Sequence, residues 1–190
     1  MAFLMVTMFS IMLPRASVSI GRISEILNTV PVIRDPEKPK EFSKRTKGLI
    51  EFKNVSFCYP DSDEEVLTDI TFTAKPGETT AFIGSTGSGK STLINLIPRL
   101  FDATKGEILV DGINVKDVDT KELHKKIGFV PQKGVLFAGT IASNIKYGKK
   151  DLSDEEMKKA ASIAMATEFI ESKKMKYNTK ISQGGTNVSG

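Results

Sequence analysis

Residues 84–92, GSTGSGKST, constrain this chain more than any other stretch, because they fit glycine, four residues, glycine, lysine and a hydroxyl residue. The run TTAFIG at 79–84 precedes the loop and has the character of a buried parallel strand. The amphipathic stretch STLINLIPRL follows, a helix expected to begin near Gly89. Strand, loop and helix are the setting that a phosphate-binding loop requires. Gly84, Gly87 and Gly89 permit backbone angles and close approach that a Cβ would block. The N–H groups of the loop, through Ser85, Thr86 and Ser88, can then wrap phosphate oxygens, and the helix adds its positive end. Lys90 is placed to reach the β and γ phosphates, and Ser91 to ligate Mg²⁺ through its hydroxyl; Thr92 completes the motif. Kinases, GTPases and transport ATPases all use such a loop, so it does not by itself name a function.

The rest of the chain narrows the choice. Hydrophobic residues at 39% and charged residues at 26% of 190 suit one globular domain with a short appendage. A formal charge of +4 would suit nucleic acid if the lysines were clustered, but acidic residues are interleaved with them, and no nucleic-acid partner is expected. Cys58 has no second cysteine to pair with and reads as a small apolar residue of a strand. His124 lies in the polar stretch TKELHKK without a second His or Cys nearby, so it reads as a surface residue rather than a metal ligand.

Residues 1–13, MAFLMVTMFSIML, carry no charge, like the end of a membrane span. A complete span takes about 20 apolar residues, so this run alone is a partial span, a buried helix or the apolar region of a signal peptide. It lacks a signal's basic leader and small-residue cleavage site. Past Pro14 the apolar positions Val18, Ile20, Ile23, Ile26, Leu27 and Val30 keep helical spacing, and Arg15 and Arg22 mark a cytoplasmic exit. Residues 31–48, rich in proline and charge and without hydrophobic period, read as a linker.

From Leu49 the pattern alternates through Ile50, Phe52, Val55, Phe57 and Tyr59, then Val66, Leu67, Ile70 and Phe72. Two antiparallel strands are expected, divided by the polar turn PDSDEE. Asp111-Gly112 signals a tight hairpin turn. Ser153 with Glu156 forms a capping box, flanked by Leu152 and Met157 as a hydrophobic staple, and starts a helix.

With these flanks, the chain resembles the ABC transporters of the exporter type, in which membrane and ATP-binding domains share one polypeptide. The residues that carry the resemblance are IEFKNVSFCYPDSDEEVLTDITF, the phosphate loop, GEILVDGINVKDVD, VPQKGVLFAGTIASNI and GGTNVSG. Residues 1–30 look like the end of the last transmembrane helix and its cytoplasmic extension, 31–48 like the linker, and 49–190 like the first part of the ATP-binding domain. The resemblance implies an α/β P-loop NTPase fold with an antiparallel β subdomain, a parallel core sheet and the start of a helical subdomain, binding ATP and Mg²⁺. It implies that Tyr59 stacks on adenine, and that Gln132, with Lys90, serves catalysis by contacting Mg²⁺ and the attacking water. An aromatic packed in the sheet and a solvated loop glutamine are the plainer alternatives for Tyr59 and Gln132. Val188, Ser189 and Gly190 match the first half of the signature Leu-Ser-Gly-Gly-Gln, with Val188 in the Leu position.

By the same resemblance the partners are a second ABC subunit, identical or not, the chain's own transmembrane domain, and a transported small molecule, lipid or peptide. The location is the cell membrane, with the ATP-binding domain on the cytoplasmic side. The rest of the signature, the Mg²⁺-binding Asp, the general-base Glu and the switch His would follow Gly190. The 190 residues alone are therefore expected to bind nucleotide and to hydrolyse it poorly. Gln183 stands where many exporters carry Glu, and Lys133 where an acid is frequent, which suits a non-identical partner subunit. Two rival classes stay open: a soluble P-loop ATPase or kinase, which leaves the apolar start unexplained, and a binding-only regulatory module.

Overall fold

The alternating residues of 50–74 form the expected strands. β1 (Ile50–Cys58) and β2 (Glu65–Ala74) pair antiparallel, with Phe52 opposite Phe72 and their rings stacked at 4.6 Å. Strict alternation fails at Val55, Ser56 and Phe57, all buried in succession. A bulge explains it: Asn54 adopts φ 49°, the register shifts between Phe52 and Val55, and the Asn54 side chain donates to Asp69 at 2.8 Å. β3 (Lys105–Val110) joins the other edge of β1, and β4 (Ile113–Asn114) closes a hairpin on it, giving a sheet in the order β2-β1-β3-β4.

The computed structural model describes residues 2–43, 47–60, 62–149 and 151–188, and the chain divides into two compact units, Met1–Phe129 and Val130–Gly190. In the first unit the sheet carries α2 (Lys90–Leu96), whose Leu93 and Leu96 enter the core with Phe52, Phe57, Leu67 and Ile108. Burying each of these side chains contributes about 1.5 to 3 kcal/mol. The short helix α3 (Thr120–His124) is capped by the Asp119 side chain and buries Leu123 in the same core.

α1 (Ala2–Asn28) is a single helix that runs through Pro14. The hydroxyls of Thr7 and Ser10 donate to carbonyl oxygens one turn back, at 2.9 Å each, so these polar groups are satisfied within the helix. Its stretch Phe3–Asn28, with mean hydropathy 1.6 and none of it buried, is long and apolar enough to cross a membrane by length and composition.

Two expectations need correction. The run 79–84 takes no regular secondary structure and belongs to neither sheet, and Ile83 is 96% exposed. A parallel strand takes its ladder from neighbouring strands; among the described residues none pairs with it, although Phe82 meets Phe72 of β2 at 5.2 Å, and both sheets are antiparallel. The helix after the loop stops at Leu96, short of the predicted Leu100, because Pro98 and a left-handed Arg99 turn the chain away.

Among the described residues the second unit holds a short antiparallel pair, β5 (Gly139–Thr140) with β6 (Lys180–Ile181), and the α-helices α4 (Ile141–Ile145), α5 (Asp154–Ile163) and α6 (Thr167–Glu171). Ile141, Ala161, Ile170 and Ile181 form its core. The predicted capping box starts α5: Ser153 Oγ accepts from the Glu156 N–H at 3.2 Å, and Glu156 accepts from the Ser153 N–H at 3.0 Å.

Candidate functional site

The loop at 84–92 is positioned from below by β2. Gly89, the residue before α2, has φ 81°, and a Cβ there would meet Leu67 Cδ2 at 2.7 Å and the Val66 carbonyl at 3.2 Å. Only glycine fits both the angle and the space. At the other end, a Cβ on Gly84 would lie 2.6 Å from Ser88 Oγ. The Ser88 N–H donates back to the Ser85 carbonyl at 3.3 Å, which closes the loop on itself.

Lys90 folds over this loop. Its ammonium donates to the Gly84 and Ser85 carbonyls at 2.9 and 2.6 Å and to Ser88 Oγ at 3.2 Å. Ser85, Thr86, Gly87 and Ser88 are exposed, and so is Ser91 in the first turn of α2. Thr92 turns the other way: it is 7% exposed, and its hydroxyl lies 3.0 Å from the Tyr59 hydroxyl. That bond brings Tyr59 against the first turn of α2. Its half-buried ring meets Phe57 and Phe101 edge-on, with centroids 4.8 and 5.3 Å away. A cradle with exposed loop residues, one ammonium, one exposed hydroxyl and a neighbouring aromatic suits the polyphosphate, Mg²⁺ and base of a nucleotide.

The remaining predicted residues belong to the second unit. Gln132 is exposed in the irregular segment that precedes β5. Val188 is half-buried and packs against the small core of Ile141, Ala161, Ile170 and Ile181, and its N–H donates to the Gly185 carbonyl at 3.0 Å. Asn187 fixes the approach to it by accepting from the Ser182 N–H at 2.9 Å and donating to the Lys180 carbonyl at 2.7 Å. Ser189 and Gly190 lie outside the described residues.

Sequence reasoning missed several supports. Phe42 of the predicted linker packs on the first core, and the Lys40 N–H donates to the Asp117 carbonyl at 2.7 Å. The Asp35 carboxylate accepts from the Thr120 N–H at 2.9 Å and from its hydroxyl. Those Thr120 bonds, with Arg99 and Lys121 nearby, outweigh desolvation and hold the Asp35 carboxyl below the usual carboxylate range. His124 is exposed yet ties its Nε2 to the Pro98 carbonyl at 2.8 Å. These contacts join residues far apart in sequence, and no local pattern announces them.

The family model described as ABC transporter matches residues 67–190. An uncharacterized ABC transporter ATP-binding protein of Mycobacterium tuberculosis (strain H37Rv) is 45% identical over all of this chain, which spans 33% of that protein. A beta-(1→2)glucan export ATP-binding/permease protein of Rhodopseudomonas palustris (strain BisB18) is 44% identical over 87% of the chain, spanning 27% of its own length. Among solved structures, a bacterial Atm1-family ABC exporter with ATP bound matches 93% of this chain and 31% of its own, at TM-score 0.84 and 32% identity. The chain thus spans about a third of the length of such relatives. The fold with its antiparallel sheet, the phosphate loop and these likenesses agree: the chain belongs to the ABC transporter family and comprises part of the ATP-binding domain of its exporter branch, preceded by an apolar helix.

Proposed function

We propose that this chain is the MgATP-binding portion of a membrane exporter that couples ATP binding and hydrolysis to movement of a substrate across the membrane. The observation that carries the reading is the Lys90 ammonium, held at the mouth of the loop by the Gly84 and Ser85 carbonyls and Ser88 Oγ. An ammonium held by neutral acceptors, rather than by a carboxylate, keeps its charge available for the β and γ phosphates of ATP. The loop N–H groups from Ser85 to Gly89 would hold phosphate oxygens, and Tyr59 would offer its ring to adenine.

Ser91 is the candidate hydroxyl ligand for Mg²⁺, and Gln132 is assigned separately, by resemblance, to the metal and the attacking water. Bound Mg²⁺ would neutralise charge on the β and γ phosphates. Val188, Ser189 and Gly190 are assigned to the signature that faces the loop of a second ABC subunit, so that the γ-phosphate becomes a contact between subunits. Closure around ATP then supplies the differential energy that moves membrane helices.

We assign residues 1–30 to the end of a transmembrane helix with its cytoplasmic extension, 31–48 to the linker, and 49–190 to the ATP-binding domain. Arg15 and Arg22 orient that domain to the cytoplasm. The cargo is a small molecule, lipid or peptide that the transmembrane domain selects.

The test is an MgATP titration of the full-length gene product. Lys90→Ala is expected to weaken binding by about tenfold or more, the equivalent of losing ~1.4 kcal/mol. Equal affinity in wild type and variant removes the role assigned to Lys90.

A further inference from the structure

The turn that ends α2 contains a residue that its conformation does not favour. The Arg99 N–H donates to the Leu96 carbonyl and the Leu100 N–H to the Asn95 carbonyl, both at 3.1 Å, a Schellman turn with Arg99 at the left-handed position, φ 56°. Glycine takes that conformation without steric cost, so the presence of arginine points to its side chain. That side chain is 4% exposed. Nε donates to Asp102 Oδ1 at 2.8 Å, and Nη2 donates to the Arg34 carbonyl at 3.0 Å. Nη1 is buried and has no partner among the described residues.

Arg34 lies in the segment between α1 and β1. Asp35, through Thr120, and Lys40, through Asp117, fasten the same segment to α3 and to the turn before it. Of these ties, the one from Arg99 reaches the helix that begins at the phosphate loop.

We propose that Arg99 is a positioning residue, a clasp joining the linker to the C-terminal end of the phosphate-loop helix, so that a shift of that helix on nucleotide binding moves the chain leading to α1. This rests on the reading of residues 84–92 as an MgATP site. α2 is seven residues long, about 10 Å, and moves as a short rigid rod, so displacement at its loop end is delivered to the turn that holds Arg99. A clasp that serves only to hold the linker down would leave linker protection the same with and without nucleotide.

The experiment is hydrogen–deuterium exchange on the full-length gene product, with and without Mg²⁺ and a non-hydrolysable ATP analogue, in wild type and Arg99→Gly. Glycine retains the turn and removes the clasp. In wild type, amide protection across residues 34–40 is expected to change several-fold with nucleotide. In Arg99→Gly that response disappears and the segment exchanges about tenfold faster, while the affinity for the analogue stays within about twofold. A wild type that binds the analogue without any change at 34–40, or a variant that keeps the response, overturns the proposal. If Arg99→Gly does not fold, the wild-type comparison decides alone. A wild type that takes up no analogue is a different result, which brings down the phosphate-loop reading and the clasp with it.

Discussion

Tyr59 has one role that the structure shows and one that is proposed for it, and they can be separated. Its hydroxyl bonds to Thr92 and its edge packs on Phe57 and Phe101, so part of its value is structural. If the ring also stacks on adenine, removing the hydroxyl and removing the ring should differ. Tyr59→Phe is expected to cost about 0.5 to 1.5 kcal/mol of stability through the lost hydrogen bond. Its MgATP affinity should stay within about twofold of wild type, since a phenyl face stacks as well. Tyr59→Ala should weaken binding by about 1 to 3 kcal/mol, roughly five- to 150-fold. Calorimetric titration beside thermal unfolding, both on the full-length protein, decides. If Tyr59→Ala loses stability and binds like wild type, the side chain is a packed ring and nothing more. At this scale the sequence was informative about placement: the motif spacing put Lys90 at the loop and Ser91 in the first turn of the helix after it, where both are found. It was silent on Arg99, because a left-handed arginine costs about 1 to 2 kcal/mol locally and only long-range contacts can offset that.

Among the elements, the β3–β4 hairpin was legible because Asp-Gly is one of the few pairs that accept positive φ at both central positions of a two-residue turn; here φ is 51° and 82°. Its carboxylate does more than turn the chain. Asp111 accepts from the N–H groups of Lys47, Gly48 and Leu49 at 3.0, 2.7 and 3.0 Å, and so anchors the chain entering β1. Burial pushes its carboxyl up, but those N–H donors, with the positive charge of Lys126, outweigh it and hold the group below its ordinary value. A depressed folded value contributes stability that is present above the unfolded pKa, about 3.9, and lost as the pH falls through the folded one. Asp111→Asn keeps a residue suited to left-handed backbone and removes the charge. It is expected to lower stability by about 1 to 2 kcal/mol at pH 7, with the gap closing below about pH 4. Thermal unfolding of both proteins from pH 7 to 3 checks this, and a gap independent of pH would contradict it. By contrast, the bulge at Asn54 and the pinned linker were not legible, since each depends on a partner from another strand or helix.

At the scale of the whole molecule, the run 79–84 is a strand by composition and lies in neither sheet. Its Ile83 is 96% exposed; Val130 is 92% exposed, and the large apolar side chains of α1 are exposed as well. Apolar segments with unpaired backbone are templates for pairing with other chains. The resemblance to ABC exporters implies a parallel core sheet, in which Ile83 would be buried in the complete domain, so the same substitution should act in opposite directions in two contexts. In residues 29–190 expressed without α1, Ile83→Lys is expected to reduce self-association, because a lysine opposes edge-to-edge pairing. In the full-length protein the same lysine would be a buried charge without a partner. It should then lower unfolding stability by several kcal/mol, in the range that single substitutions reach through this mechanism. Light scattering on the first and thermal unfolding of the second measure the two effects. A full-length protein indifferent to Ile83→Lys would mean that the segment leading into the phosphate loop stays at the surface. The loop would then rest on β2 alone, through the contact of Gly89 with Leu67 and Val66.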